Sequence, residues 1–439
     1  MRTDAVRKIL QRGDICLVLL VPENKLEYYR KEFSDKNILF DVIPKIRSLK
    51  IEKLFNFIER FSIHTRTVYM IFRSEYEKTK NLSWLRRIGT FIAKFLLWWV
   101  GQFAWWRKAV RVAYYAMPST VGAYFFKKYN PDLVFCPYMI FTDYVFLKEA
   151  KKAGIATLGM MQSWDNLYSK TFLLVHPDHL VVQTDKIKEQ ARSMGDYRGN
   201  LEVCGIPQYD RHFTKQDMVS REEFFKKIGA NPAKKLIVYA FSGKQGLHLD
   251  FDVLNIINEA RTHGEFVEDV EILARPYPRT DFPQEKLERI RRDYGIISFS
   301  ATKHVGGGDA DWEFDEESIW MLENTLAHAD VVITMYSTFF IEAAIFNKPL
   351  IGVAFDGSKK MPYWDSASRF FEWDHLCDIR SLDGIWLVEN TKELIHAINT
   401  CLKNPGHQGG GREKIVRQQA QFTDGHSAQR VADVILQIL

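Results

Sequence analysis

The stretch from Asp330 to Phe355 constrains the fold of this chain more than any other. Val331–Thr334 is a short β-branched run that is typical of a buried parallel strand. After a turn, Ser337 and Thr338 can cap a helix, and Leu350–Phe355 has the composition of the next buried strand. The pattern predicts a strand–turn–helix–strand unit of an α/β fold.

The start of this predicted helix is a candidate phosphate site. Its first N–H groups have no partner within the helix and lie at the positive end of the helix dipole. Glu342 lies one turn beyond Ser337 and Thr338, about 6 Å along the helix, where a carboxylate could accept hydrogen bonds from a ribose. An ordinary βαβ unit with a capping hydroxyl would have the same pattern, so this stretch alone leaves both interpretations open.

The chain as a whole predicts two α/β domains. Its 439 residues suffice for two ordinary domains. Predicted strands alternate with predicted helices in both halves, and the charged segment Arg211–Lys234 is interpreted as the linker. We therefore expect an N-terminal domain over residues 1–212, a second domain over residues 213–425 and a C-terminal helix over residues 426–439.

Composition excludes several classes of protein. The formal charge of +5, spread over this length, is too small to indicate nucleic-acid binding. The five cysteines are scattered without a C-x-x-C pair, which fits a reducing compartment and argues against a disulfide framework or a zinc ribbon. The first apolar run, Ile15–Val21, is short and lacks a cleavage site. We expect a cytoplasmic protein, or one attached to the cytoplasmic face of a membrane.

The segment from about residue 84 to residue 128 is rich in tryptophan and in cations. No acidic residue occurs between Glu77 and Asp132, and FLLWWVGQFAWW lies between Lys94 and Arg107. As one helix this uncharged dozen would be ~18 Å long, too short for the ~30 Å hydrocarbon core of a bilayer. Tryptophans flanked by cations are typical of an interfacial helix on an anionic membrane. The alternative is a helix buried between domains or in a dimer, because the apolar residues do not keep to one clean face.

A polar loop, MQSWDNLYSK, follows the predicted strand Ile155–Met160. Ligands of open α/β sheets collect at the carboxyl ends of the strands, so this loop is a candidate substrate site. Its side chains include Gln162, Ser163, Trp164, Asp165, Asn166, Ser169 and Lys170. The alternatives are that Trp164 only anchors the loop in the core and that Asp165-Asn166 only forms a turn.

Three further motifs are weaker. Ser242–Gly246 is a glycine loop that lacks the spacing of a P-loop, so ATP hydrolysis is not indicated. Asp309-Ala310-Asp311 resembles the metal-binding D-x-D of one class of sugar transferases, but it does not directly follow an apolar strand and is interpreted as a solvated loop. His375 has no second ligand at metal spacing. No metal site is therefore expected.

The chain resembles the CDP-glycerol glycerophosphotransferase family in four stretches. QSWDNLYSK is similar to the family's Q-x-W-H-G-T-P-L-K loop, and ARPYPR lies where the family has R-P-H-P or K-x-H-P. Asp330–Phe355 is similar to the family's D-x-x-x-T-D-Y-S-S helix start followed by N-K-P, and DGHSAQRVADVI is similar to its D-G-x-x-x-x-R-x-x-D ending. The matches run from about residue 155 to the C-terminus in the family's order, which is more specific than any one motif.

The resemblance implies a GT-B fold, in which two Rossmann-like domains face each other across a cleft. The acceptor would bind the N-terminal domain and the nucleotide-activated donor the second domain. Asp165 stands for the family's loop histidine, Asn166 for its glycine, Tyr277 for its second histidine, and Met335 and Glu342 for two aspartates. These departures favour a nucleotide-sugar donor over a glycerophosphate donor, because an aspartate base and a ribose-binding glutamate are common in sugar transferases of this fold.

The resemblance also implies roles for particular residues. Asp165 is expected to be the catalytic base of an inverting transfer, with partial burial beside Trp164 raising its pKa. The expected donor-binding residues are Arg275, Tyr277, Arg279, Ser337, Thr338 and Glu342, and the expected acceptor-side residues are Gln162, Trp164, Asn166 and Lys170. No cofactor is expected besides the nucleotide-activated donor, which is a substrate.

The expected function is metal-independent transfer of a sugar to a lipid-linked or polysaccharide acceptor of the cell envelope. The protein would be peripheral on the cytoplasmic face of an anionic membrane. Three alternatives remain open: a polyol-phosphate transferase using CDP-glycerol or CDP-ribitol, an enzyme like the UDP-N-acetylglucosamine 2-epimerases, and a non-catalytic membrane scaffold. The loss of both family histidines favours the scaffold, whereas an epimerase leaves the Trp-rich segment unexplained.

Overall fold

The computed structural model describes residues 2–44, 50–81, 83–243, 247–277, 284–299, 302–305 and 312–439. Its contacts divide the chain into two units. The first unit comprises Met1–Asp210, Trp373–His375 and Gln418–Leu439, and the second comprises Arg211–Glu372 and Leu376–Arg417. The main boundary therefore lies two residues before the expected one, and two later segments of the chain return to the first unit.

The helices, in chain order, are α1 (Asp4–Leu10), α2 (Leu26–Glu32), α3 (Lys50–Phe61), α4 (Arg66–Lys78), α5 (Trp84–Val100), α6 (Ala104–Ala116), α7 (Ala123–Tyr129), α8 (Thr142–Lys152), α9 (Asn166–Ser169), α10 (Asp185–Ser193), α11 (Asp210–Thr214), α12 (Arg221–Ile228), α13 (Leu247–Thr262), α14 (Gln284–Tyr294), α15 (Glu316–His328), α16 (Phe339–Ile345), α17 (Asp374–Arg380), α18 (Thr391–Lys403), α19 (Gly409–Gln419) and α20 (Ser427–Ile438). Short 3₁₀ helices span Glu23–Lys25, Pro207–Tyr209 and Ala367–Glu372.

The strands are β1 (Leu17–Val21), β2 (Ile38–Val42), β3 (Leu133–Cys136), β4 (Ala156–Met160), β5 (His179–Val182), β6 (Asn200–Val203), β7 (Lys235–Ala240), β8 (Val270–Arg275), β9 (Ile297–Ser298), β10 (Lys303–His304), β11 (Trp312–Glu313), β12 (Val331–Thr334), β13 (Leu350–Val353) and β14 (Trp386–Val388).

The first unit contains a parallel sheet of order β3-β4-β5-β6, and β1 pairs with β2 in a separate parallel sheet. Leu180 and Val182 of β5 belong to the large aromatic-rich core, whereas Val181 belongs to a second cluster. Alternate strand residues point to opposite faces, so both faces of this sheet are covered.

The C-terminal helix α20 covers one of these faces. Val431 and Ile435 share the second cluster with Val181, so the apolar face of α20 is buried in the first unit. The Asp210 carboxylate accepts hydrogen bonds from the first two N–H groups of α20, at 2.9 and 2.7 Å. Burial and capping together explain why the chain returns to the first unit at its C-terminus.

The Trp-rich segment forms two helices, α5 and α6, and not the single helix considered from the sequence. The break lies at Gly101, where an added Cβ atom would be 1.9 Å from the Ser62 carbonyl oxygen. Only glycine allows two backbones to approach so closely. Trp98 and Trp106 lie on the inward side, where their indole N–H groups donate to the Thr65 carbonyl oxygen (2.8 Å) and to Ser62 Oγ (2.9 Å).

The second unit contains a parallel sheet of order β14-β13-β12-β7-β8-β9. From β7 the chain adds β8 and β9 on one side, and the later strands add on the other side. The direction of winding therefore reverses between β7 and β12. All residues of β12 and β13 are buried, as their β-branched composition predicts.

The predicted strand–turn–helix–strand unit is present as β12, α16 and β13. The polar stretch Asn404–Gly411 contains the start of α19. An added Cβ at Gly411 would lie 2.1 Å from the Asp383 carbonyl oxygen, so these glycines allow close packing of the helix start. Parallel sheets flanked by helices in both units confirm the predicted α/β fold with two Rossmann-like halves.

Candidate functional site

The carboxyl ends of β7 and β12 are neighbours at the point where the winding of the second sheet reverses. Ligands of open α/β sheets bind at such a switch point. Ser242-Gly243 follows β7, Tyr336-Ser337-Thr338 follows β12, and Arg275 ends the adjacent β8. Most of the predicted donor-binding residues therefore lie at one edge of one sheet, although they are far apart in sequence.

The hydroxyl residues before α16 behave differently from each other. Ser337 Oγ accepts a hydrogen bond from the Phe339 N–H at 3.1 Å, so Ser337 caps this turn. Thr338 is the N-cap residue by position, but its side chain makes no capping bond and is exposed. Because α16 has only seven residues, its dipole is weaker than that of a longer helix. Positive charge for a donor phosphate must therefore come mainly from side chains.

Arg275 and Glu342 are brought together at this edge. Arg275 is 6% exposed, and its guanidinium carbon lies 5.1 Å from the centre of the Phe339 ring. Burial lowers the pKa of Arg275, and the nearby Glu342 charge opposes that effect. Burial likewise raises the pKa of Glu342, opposed by His212 and Arg275. The site thus combines a desolvated cation with a desolvated carboxylate, and each favours the charged form of the other.

Tyr277 packs beside the glycine loop after β7. Gly243 has a φ of +94°, and a Cβ added there would lie 3.2 Å from the Tyr277 ring. The turn therefore needs glycine for both its backbone conformation and its close approach to Tyr277. Arg279, the other predicted phosphate ligand, lies outside the described residues, as do most of Ser242–Gly246 and the Asp309-Ala310-Asp311 motif.

Asp250 on α13 is a site residue that the sequence analysis missed. Its Oδ2 accepts hydrogen bonds from Ser242 N (3.0 Å) and Ser242 Oγ (2.8 Å), and its Oδ1 accepts one from the Tyr239 hydroxyl (2.9 Å). Burial raises the pKa of Asp250 to about 7, because it outweighs these hydrogen bonds. Asp250 therefore holds the start of the glycine loop. Nothing local in the sequence distinguishes it, because the contact joins a strand end to the following helix.

The loop after β4 in the first unit is organised around Asp165. The Lys170 ammonium lies 2.8 Å from Asp165 Oδ1, and Ser163 Oγ donates a hydrogen bond to the same oxygen. The Asp165 side chain is 20% exposed, so one edge of this carboxylate reaches solvent. The loop thus presents an ionised acid that is held by residues on both sides of it.

The expected rise in the pKa of Asp165 is wrong. Burial does act to raise it, but Lys170, His375 and the Ser163 hydroxyl together outweigh burial and lower the pKa to about 2. Nearby positive charge and donated hydrogen bonds favour the ionised form of a carboxyl group. Asp165 is therefore a fixed negative charge with little affinity for a proton at neutral pH.

The other predicted acceptor-side residues divide into two kinds. Trp164 and Asn166 are buried; the Trp164 ring packs edge-on against His375 at 4.8 Å, and Asn166 Nδ2 donates to the Tyr138 carbonyl oxygen at 3.3 Å. These two residues anchor the loop, which is the alternative that the sequence analysis left open for Trp164. Gln162 is half-buried and Lys170 is exposed, so their side chains remain accessible.

His375 reaches this loop from a distant part of the sequence. It lies in Trp373–His375, a short segment that belongs to the first unit. Thr67 N and Oγ1 each donate to Asp374 Oδ2 at 2.7 Å, and Asp374 N donates back to Thr67 Oγ1 at 2.9 Å. This reciprocal pairing fixes the segment at the start of α4. No local sequence pattern indicates this contact, because Asp165 and His375 are far apart in the chain.

The closing motif of the chain has a structural role. Arg430 pairs with Asp424, and its guanidinium carbon lies 3.9 Å from the centre of the Phe422 ring. Both residues belong to the family-like ending D-G-x-x-x-x-R-x-x-D. The motif therefore holds the chain at the entry to α20.

Helices α5 and α6 present an exposed aromatic face. Its residues, each between 36% and 67% exposed, are Trp84, Leu85, Ile88, Ile92, Phe95, Leu96, Trp99, Phe103 and Trp105. On α5 they recur at intervals of three and four residues, which places them on one side of the helix. The segment thus has two apolar sides, one packed inward through Trp98 and one exposed. This explains why no single clean face could be read from the sequence.

Several cations of this segment are engaged internally. Lys94 pairs with Glu75, and Arg107 and Arg111 both pair with Asp196. Arg86, Lys108 and Lys127 are exposed. Across the described ranges, helices that combine enough length and apolarity to cross a membrane are absent. The same part of the chain holds no group of three or more His, Cys, Asp and Glu side chains that could bind a metal ion.

Comparisons with solved structures give matches of low sequence identity. The wall teichoic acid polymerase TagF is 14% identical, covering 66% of this chain and 70% of that one, with a TM-score of 0.43. A glycosyltransferase from Rickettsia africae is 12% identical over 98% and 93%, with a TM-score of 0.49. MnaA from S. aureus, solved with UDP, is 12% identical over 97% of each chain, with a TM-score of 0.48. At these values the likeness says nothing about substrate.

The family comparison is specific. No curated protein sequence matches the chain. Residues 148–437 match the sequence model described as CDP-Glycerol:Poly(glycerophosphate) glycerophosphotransferase. This range is more than half of the 439 residues, and it contains the Asp165 loop, the switch-point residues and the closing motif. The chain therefore belongs to the CDP-glycerol:poly(glycerophosphate) glycerophosphotransferase family of transferases.

Proposed function

We propose that the protein transfers a sugar from a nucleotide-activated donor to a surface-polysaccharide acceptor. The observation that carries this proposal is that the buried Arg275 lies against Phe339, one turn before Glu342, at the switch point of the second unit. A cation suited to phosphate and a carboxylate suited to sugar hydroxyls occur there together, beside the hydroxyls of Ser337 and Thr338.

Each group at the switch point has a chemical role in the proposal. The Arg275 guanidinium can bind a diphosphate through two parallel charged hydrogen bonds. The exposed Thr338 hydroxyl can donate to a phosphate oxygen, and the Glu342 carboxylate can accept from the hydroxyls of a ribose. Tyr277 stands where the family has a histidine, and a phenol hydroxyl cannot supply the positive charge of an imidazolium.

Thermal-shift measurements on the full chain test this donor site. UDP-, GDP-, CMP- and CDP-linked donors are added in turn, because a ligand that binds the folded state raises the melting temperature. Arg275→Gln and Glu342→Gln are expected to weaken the effective donor at least ~10-fold, since each loses a charged hydrogen-bonding partner. Arg289→Gln, which removes an exposed arginine on α14, is the matched control. Unchanged donor affinity in both site variants would reject the site.

The donor panel also separates the alternatives. Family membership favours polyol-phosphate transfer as the second candidate, with the same residues binding CDP-glycerol or CDP-ribitol. A shift with CDP-linked polyols alone would select that reaction. An epimerase-like enzyme would respond to UDP-N-acetylglucosamine and convert it without any acceptor. A protein that shifts with none of the donors would be a scaffold.

The loop around Asp165 is proposed as the acceptor side. Gln162 and Lys170 are accessible and can hydrogen-bond to acceptor hydroxyls or phosphate, whereas Trp164 and Asn166 support the loop from within. The strongly lowered pKa of Asp165 suits a carboxylate that holds charge in place. It does not suit a group that must take up a proton.

We further propose that the exposed aromatic face of α5 and α6 docks on an anionic membrane that carries the acceptor. Tryptophan rings prefer the headgroup region, and exposed cations such as Arg86, Lys108 and Lys127 gain ~1 kcal/mol each near an anionic surface. The proposed location is the cytoplasmic face of that membrane, because five scattered cysteines without a C-x-x-C pair fit a reducing compartment.

A further inference from the structure

The loop after β4 lacks an efficient proton acceptor. Transfer to a hydroxyl is helped by a group that takes the hydroxyl proton, and such a group works best when its own pKa lies near the working pH. Asp165 occupies the position of the family's histidine, but Lys170 and Ser163 hold it ionised and its pKa is lowered to about 2. A neighbouring group with a higher pKa is therefore better suited to take the proton.

His375 is the imidazole that the fold brings to this loop. Its ring lies 4.8 Å from the Trp164 ring, 5.7 Å from Trp373 and 6.4 Å from Tyr168. It is 7% exposed, so it is largely enclosed but not sealed. When it carries a proton, its charge favours the ionised form of Asp165.

Hydrogen bonds of the preceding residue, Asp374, hold His375 in a defined position. Thr67, at the start of α4, holds Asp374 through bonds in both directions, as described above. Thr67 itself is completely buried. Three hydrogen bonds between Thr67 and Asp374 therefore hold the residue that precedes His375. The surrounding aromatic rings limit the orientation of the imidazole.

We propose that His375 accepts the proton of the acceptor hydroxyl and that Asp165 is its positioning partner. Together they replace the single histidine of the family's loop. The inference rests on the proposed transferase function. A carboxylate beside an imidazole orients it and stabilises the imidazolium that forms, which is a general arrangement for proton transfer.

The hydroxyl proton moves to the neutral imidazole while the bond between the acceptor oxygen and the transferred group forms. The bond from that group to the nucleotide phosphate breaks, and its electron pair leaves on the phosphate oxygen. The imidazolium afterwards releases its proton to water, and Asp165 keeps its charge throughout.

Histidine NMR on the full chain tests the pairing without any donor. The chain has 12 histidines, so the His375 signal is assigned by its loss in His375→Gln. Asp165 and Tyr168 face this imidazole, Lys170 pairs with Asp165, and Asp374 precedes His375 in the chain and is bonded to Thr67. Asp165→Asn is expected to lower the pKa of His375 by about one unit, because it removes a neighbouring negative charge. Asp293→Asn, on α14, should leave it unchanged. An unaltered His375 pKa in Asp165→Asn would overturn the pairing.

Turnover measurements test the proton-transfer role. His375→Gln is expected to lower kcat ~100-fold or more, to remove the acidic limb of the pH profile and to keep the donor-induced thermal shift. His176→Gln removes a half-buried imidazole, bonded to the Gly195 carbonyl oxygen at 2.9 Å, and should keep near-normal kcat. Near-normal kcat in His375→Gln would overturn the role. Absence of any donor shift in the unaltered protein would instead reject the proposed function, while the NMR result still decides the pairing.

Discussion

At the scale of single residues, neighbours decide what each ionisable group can do. Asp165 and Glu59 are both acids in the first unit, yet their pKa values move in opposite directions. Asp165 has a lysine partner at 2.8 Å, whereas Glu59 accepts hydrogen bonds from neutral groups such as the Thr171 hydroxyl and the Leu174 N–H, and the charge of Arg111 offsets its burial only in part. Burial therefore wins at Glu59 and raises its pKa to about 8.

Because the pKa of Glu59 is raised in the folded protein, we expect its burial to lower the free energy of unfolding as the pH rises. Below about pH 4.5 the group is protonated in both folded and unfolded chains. As the pH rises towards 8, the unfolded chain ionises first, so the wild-type protein loses free energy of unfolding. Glu59→Gln keeps an acceptor oxygen and lacks this loss. We expect the free energy of unfolding of the variant, relative to that of the wild type, to increase by up to ~1.4 kcal/mol per pH unit between pH 5 and 8.

Urea unfolding at several pH values, followed by tryptophan fluorescence, measures this difference. Glu27→Gln, which changes an exposed acid on α2, is the control and should give a much smaller pH-dependent difference. A difference between wild type and Glu59→Gln that stays constant from pH 5 to pH 8 would show that Glu59 is not buried as described.

At the scale of elements, α5 and α6 show how similar tryptophans acquire different roles. Trp98 and Trp106 face inward and are hydrogen-bonded to the backbone and side chain of the α3–α4 region. Trp99 and Trp105 are 49% and 62% exposed. Each inward tryptophan is next to an exposed one in the sequence, so composition alone does not distinguish their roles. One pair packs in the fold, and the other pair is exposed and available for membrane contact.

Replacing the exposed pair tests the membrane proposal. Trp99→Ser with Trp105→Ser should weaken binding to vesicles containing anionic lipid at least ~10-fold, because it removes large apolar surfaces from the interface. The melting temperature should change little. Flotation with anionic and with neutral vesicles measures the effect. Wild-type binding by this variant, or no flotation of the unaltered protein, would contradict membrane docking by this face.

The inward pair is the matched control for that experiment. Trp98→Ala and Trp106→Ala should each lower the free energy of unfolding by ~3–5 kcal/mol, because each creates a cavity and breaks a hydrogen bond. The contrast between the pairs distinguishes a surface effect from loss of the fold.

At the scale of the whole molecule, the C-terminus stabilises the N-terminal half. The buried residues Val431 and Ile435 belong to the cluster that covers one face of the first unit's four-stranded sheet. Val431→Ala with Ile435→Ala should cost ~2–5 kcal/mol and raise hydrogen exchange in β4 and β5. Strands β7 and β8 should be unaffected. Gln437→Ala, exposed on the same helix, is the control. Faster exchange confined to β7 and β8 would contradict this assignment.

Local sequence patterns determined much of this protein. The β-branched run at Val331–Thr334, the hydroxyls after it and the next apolar run predicted β12, α16 and β13, because strand and helix periodicity depend on neighbouring residues alone. The ordered motifs from about residue 155 onward predicted the family that the comparison confirmed. The choice of Arg275 and Glu342 as donor ligands likewise came from the sequence and stays a prediction.

Only the tertiary structure decided the remaining features, because they depend on contacts between distant residues. The strand order places Arg275 beside α16, and Lys170 with His375 reverses the expected pKa shift of Asp165. The approach of Gly101 to the Ser62 backbone breaks the Trp-rich segment in two. The burial of a side chain, the charge around it and its close contacts all depend on which residues lie near it in space. Local sequence patterns do not specify those neighbours.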